Sequence, residues 1–131
     1  MELARVVARY SDGRVAKGST ENFYPHKDSF DLFTADKPPG EAIKIFIKEL
    51  KAVFFVRDFI GNPAYNERKD YIEGEKPSGS KVKVTFVDNE VLVGSNYNAN
   101  RYGFFFSPTD PNSNNMRVFA VSSAVKRGCF L

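Results

Sequence analysis

The 131-residue chain carries 19 Lys/Arg against 16 Asp/Glu, a net charge of +3, and 42% apolar residues; this excludes global disorder and suits one compact domain or two very small ones sharing a core. The longest nearly uncharged apolar run, 52 to 56, is far too short to cross a bilayer, and MELARVV lacks the apolar centre of a signal peptide, so the expectation is a cytoplasmic chain without membrane insertion. A single cysteine, Cys129, excludes an internal disulfide and fits a reducing compartment.

The chain opens on RVVARYSDGRVAKGS, residues 5 to 19, which returns as KVKVTFVDNEVLVGS, residues 81 to 95, at a constant offset of 76. In each copy apolar residues alternate with polar ones, Val6, Ala8 and Tyr10 in the first and Val82, Val84 and Phe86 in the second, which predicts half-buried strands. Each strand runs into a turn, Ser-Asp-Gly at 11 to 13 and Val-Asp-Asn at 87 to 89, where Gly13 and Asn89 tolerate positive φ. Two hairpins are predicted. Their second strands reach a glycine at the same place, Gly18 and Gly94, and a glycine inside a strand marks a sharp bend.

Third strands are expected over 29 to 34 and 102 to 107, followed by proline-bearing loops, and fourth strands over 43 to 47 and 116 to 121. One helical turn, 48 to 50 and 122 to 125, precedes a last strand, 52 to 56 and 126 to 131. Between the copies, residues 58 to 80 are rich in charge, glycine and proline. Asn62-Pro63 is a helix-start signal, so a short linker helix is expected over 63 to 70.

The domain boundaries that follow are a first repeat at 1 to 57, a linker at 58 to 80 and a second repeat at 81 to 131. The fold class expected is all-β: two tandem five-stranded small barrels related by internal duplication. The hairpin with its Asp-Gly turn, the bend glycine and the helical turn before the last strand resemble the SH3-like and Sm-like small-barrel superfamily. More closely, RVVARYSDGRVAKG, ELKAVFFVRDFIGNPAY, EVLVGS, GFFFSPTDPNSNN and RVFAVSSAVK resemble an uncharacterised bacterial family sometimes found beside PilZ-type signalling domains. The resemblance spans nearly the whole chain and implies a small-barrel fold in the bacterial cytoplasm, with no reaction or ligand attached.

Three binding readings arise. Successive Phe54 and Phe55 face opposite sides of their strand, so one of them covers something outside its own core; with Arg57 and Tyr65 they mark a candidate surface for a protein partner or a homodimer. A Sm-like barrel invites RNA, for which Tyr97, Arg101, Tyr102, Arg117, Lys126 and Arg127 in the more basic second half offer phosphate contacts and stacking. Arg5 and Arg9 resemble the arginine pair with which PilZ domains hold cyclic di-GMP, although the second half of that motif is missing. An ordinary solvated strand face explains the same pair.

Nothing in the sequence supports catalysis, a cofactor or a metal. His26 has no second histidine or cysteine near it, and the run Asp110, Asn112, Asn114, Asn115 lacks the glycine and final glutamate of a calcium loop. Cys129 has only Lys126 and Arg127 as basic neighbours, and serine-hydrolase signatures are absent. The expectation is a non-catalytic binding or adaptor module, with nucleic-acid binding second and cyclic-dinucleotide binding third.

Overall fold

The computed structural model describes residues 3–38, 40–57, 81–108 and 115–130. The linker helix expected over 63 to 70 lies outside them. The chain is all-β: β1 Ala4–Tyr10, β2 Val15–Thr20, β3 Ser29–Leu32, β4 Ile43–Phe46, a 3-10 turn Ile47–Glu49 and β5 Leu50–Val56. The same order follows as β6 Val82–Phe86, β7 Val91–Ala99, β8 Gly103–Pro108, β9 Asn115–Val121, a 3-10 turn Ser122–Ala124 and β10 Val125–Phe130.

Local chemistry sets these elements in the same way in both halves. In the first hairpin the Asp12 carboxylate accepts from the Arg14 backbone N–H at 3.0 Å, and in the second Asp88 accepts from Glu90 N–H at 3.0 Å. Gly13 and Asn89 take the positive φ that closes each turn, at 97° and 73°. Gly18 and Gly94 sit where the neighbouring backbone approaches so closely that a Cβ would overlap the Phe33 carbonyl oxygen in one half and that of Ser107 in the other. A neighbouring backbone this close leaves no room for a side chain at either position.

Pairing registers correspond as well. Val6 lies opposite Gly18 and Phe55, and Val82 opposite Gly94 and Phe130. Phe30 faces Ile45 as Phe104 faces Ala120. Both last strands carry an irregularity near their start, between Tyr10 and Arg9 opposite β5 and between Val125 and Arg127 in β10.

The halves nevertheless do not close into two separate five-stranded sheets. Eight strands form one sheet in the order β10-β6-β7-β8-β9-β5-β1-β2, with β3 and β4 as a separate pair. The two halves are joined by the antiparallel pair β5–β9, in which Ala52, Val53, Phe54 and Phe55 face Ala120, Phe119, Val118 and Arg117. The reason lies in β5: from Ala52 to Val56 it is apolar at every position and buried, so neither face there has a polar side to give to water, and the one charged residue of the strand, Lys51, is turned to Asp88 and Glu90.

The seam separates two cores. Val53, Phe55, Phe105, Phe119 and Val121 enter the core of the first half beside Val6, Phe30, Leu32 and Ile45. Ala52, Phe54, Val56, Val118 and Ala120 enter that of the second, beside Val84, Phe86, Phe104 and Phe106. Each core is therefore completed by strands of the other half. Fully burying one such phenylalanine contributes about 2 to 3 kcal/mol.

Candidate anion-binding face

On β1 the side chains alternate between the first core and the opposite surface. Val6 and Ala8 are fully buried, whereas Arg5 and Arg9 are exposed with half-buried Val7 between them. The register with β2 sets Ser19 opposite Arg5, Lys17 opposite Val7 and Val15 opposite Arg9. Antiparallel partners share a face, so cations and valines alternate across both strands in a small checkerboard. None of these six positions carries a carboxylate or an aromatic ring.

This face lies beside the seam. The Arg9 guanidinium sits 5.3 Å from the centroid of the Phe54 ring, and the Arg5 guanidinium donates to the Arg57 backbone carbonyl. At one end a shallow depression is lined by Leu3, Ala4, Arg5, Ser19, Val56 and Met116, with Leu3 and Met116 about half exposed. At the other a narrow crevice is lined by Arg9, Tyr10, Val15, Lys51 and Asp88. Four residues of strand separate the two arginine Cα atoms by about 13 Å, so they flank a ledge rather than converge on one point.

Lys51 closes the crevice end. It is only 7% exposed, yet its ammonium binds Asp88 at 2.7 Å and also Glu90, while lying 4.8 Å from the Phe86 ring centroid. A lysine of the first half is thereby fixed to the hairpin of the second. The bond from Lys51, seconded by the Glu90 backbone N–H, holds the Asp88 carboxyl below the usual range for aspartate. Asp12 is lowered too, mainly by the backbone and side-chain hydrogen bonds of Arg14.

The other residues that the sequence singles out are dispersed. Phe54 and Phe55 point to opposite sides as expected, but both are 6% exposed, one in each core, so neither ring is open to a separate protein. What each covers is the other half of its own chain. Arg57 is exposed and engaged through its carbonyl; Tyr65 lies outside the described residues.

Arg117 lies at one end of β9, its guanidinium 4.2 Å and 4.6 Å from the Phe105 and Phe55 ring centroids, where loss of hydration lowers its pKa. Tyr102 packs against the first core at the other end of β9, with Arg101 over its ring. Tyr97 packs against Phe104 on the second core, while Lys126 and Arg127 lie on the edge strand β10, Lys126 reaching Asn89 at 3.3 Å. The six do not gather on one face. Arg5 and Arg9 do, joined by Lys17, which sequence reasoning passed over because only the hairpin register brings it to them.

His26 lies beside Tyr24, and among the described residues no cluster of His, Cys, Asp and Glu is placed to hold a metal ion. Asp110, Asn112 and Asn114 lie outside them, and Cys129 is an exposed free thiol. Among the described residues no helix is long and apolar enough to cross a membrane.

No curated protein and no solved structure matches the chain. A family model matches almost all of it, residues 2–129, and the chain belongs to that family, a family of unknown function designated DUF6982.

Proposed function

We propose that the chain is a non-catalytic binding module of the bacterial cytoplasm that engages an acidic protein segment on the open face of β1 and β2. The observation that carries this reading is the checkerboard of Arg5, Arg9 and Lys17 with Val7, Val15 and Ser19, six positions without a carboxylate. An extended peptide has the same period as a strand, so acidic residues four apart with an apolar one between them match Arg5, Val7 and Arg9. Arginine suits such a site because its planar fork takes a carboxylate through two bonds.

Two observations favour a protein segment over the alternatives. Single-stranded nucleic acid is held by basic grooves with aromatic platforms, and none of these six positions carries a ring, while the Phe54 ring beneath Arg9 is buried. For a cyclic dinucleotide the second half of the motif that would accompany the arginine pair is missing. We further propose that the two halves are copies of one small-barrel unit, a reading supported by the matching turns, glycines and registers.

The test is titration of the protein with a synthetic peptide of the pattern Glu-Ser-Val-Ser-Glu, which puts glutamate, valine and glutamate on one face of an extended chain, mapped by backbone amide shifts. The reading expects shifts along β1 and β2, and about tenfold weaker binding for Arg5→Glu with Arg9→Glu. Shifts on this face with single-stranded RNA but not with the peptide would transfer the site to nucleic acid. No response to either ligand would sink the site itself.

A further inference from the structure

The seam exposes a difference between strands that otherwise correspond. By register, β10 stands in the second half where β5 stands in the first, and β4 stands in the first where β9 stands in the second. β5 and β9 pair with each other, whereas among the described residues β10 and β4 each have one strand neighbour and one edge without another. The seam's own pairing, repeated between two molecules, would bring Arg127, Gly128 and Cys129 of one copy opposite Ile45, Lys44 and Ile43 of the next.

The residues that fill the cores across the seam differ at these positions. Ala52 and Phe54 on β5 become Arg127 and Cys129 on β10; Phe105 and Phe119 on β8 and β9 become Asp31 and Lys44 on β3 and β4. Ala52, Phe54, Phe105 and Phe119 are all buried, whereas Lys44, Arg127 and Cys129 are exposed. Three of the four replacements carry charge, Asp31 being half-buried with its carboxylate accepting from the Asn22 side chain at 3.0 Å, and carrying such charges into an apolar core is strongly unfavourable.

We infer that β4 and β10 form a latent head-to-tail pairing site for a second copy of this chain, held shut by Asp31, Lys44 and Arg127. This rests on the strand registers alone and is independent of the anion-binding reading. A contact that joins β10 of one copy to β4 of the next leaves the same two edges free at its ends, so once open it propagates into a ring or a fibre. Charges along an edge are a common means of preventing such growth.

The experiment compares the wild-type chain with the triple variant Asp31→Phe, Lys44→Phe, Arg127→Ala by sedimentation across a wide range of concentrations. The expected result is one mass, that of a single chain, for wild type, and masses at multiples of it for the variant. Ile43→Cys added to the triple variant reports the register, because position 43 then faces Cys129 of the neighbouring copy and the two form an intermolecular disulfide under mild oxidation. A chain that carries Ile43→Cys alone, with Asp31, Lys44 and Arg127 in place, and that assembles through this disulfide overturns the inference. So does a triple variant that folds, by its circular dichroism and melting curve, yet remains a single chain or aggregates without the disulfide.

Discussion

Strands β5 and β10 occupy the same place in the two halves and have opposite fates. Both begin after a 3-10 turn, both pair with the first strand of their half, and both carry an irregularity near their start. Yet β5 is buried along its whole length in the middle of the sheet, while β10 closes one side of that sheet and exposes Lys126, Arg127, Gly128 and Cys129. Topology gives a strand its neighbours on one edge; the side chains on its outward face decide whether the other edge is offered to protein or to water.

The largest expected break in this comparison comes from the phenylalanine of β5. Phe54→Ala empties the second core from the side of the first half and should cost about 3 to 5 kcal/mol, measured by urea unfolding. Cys129→Ala, at the corresponding place in β10, should change stability by about 0.5 kcal/mol or less. Equal losses at the two positions would erase the distinction between seam and edge.

A smaller effect separates the two lysines. Lys51→Ala removes bonds to Asp88 and Glu90 and should cost about 2 kcal/mol, limited because Asp88 is half exposed and regains water. Lys126→Ala, whose ammonium meets only the neutral Asn89 side chain among the described residues, should cost about 0.5 kcal/mol or less. The pH dependence carries a sign. Because Asp88 titrates lower in the folded protein than in the unfolded chain, its contribution is complete above the ordinary aspartate range and is lost as pH falls through the lowered folded value. The difference in melting temperature between wild type and Asp88→Asn should therefore hold at neutral pH and vanish in acid.

The smallest expected change is a gain. Gly128 stands in β10 where Val53 stands in β5, and a Cβ added there meets nothing within 4 Å. Gly128→Ala should stabilise the protein by about 0.5 kcal/mol, read from the same unfolding curves, because it reduces the freedom of the unfolded chain.

Much of the fold can be read from local pattern. The alternation in Val82, Val84 and Phe86, the Asp-Gly and Asp-Asn turns and the two bend glycines all act within a few residues, so their consequences are visible in the sequence. The seam is different. The apolar run Ala52 to Val56 announces that both faces of a strand are covered, but not that β9 covers them, because that pairing depends on two surfaces more than 50 residues apart matching at once.

The candidate face divides the same way. Arg5 and Arg9 follow from period two along one strand, whereas Lys17 needs the register of the hairpin. Lys51 was hidden by the irregularity opposite Tyr10, which shifts the alternation in the one place where a charged side chain turns toward the second half.

The exchange of phenylalanines across the seam means that the peptide link between the halves is not what keeps them together. Cutting the chain between 57 and 81 would leave two fragments, each lacking part of its own filling and each holding the part that the other lacks. Among the described residues the two ends share their fillings, so heat must dissolve both together.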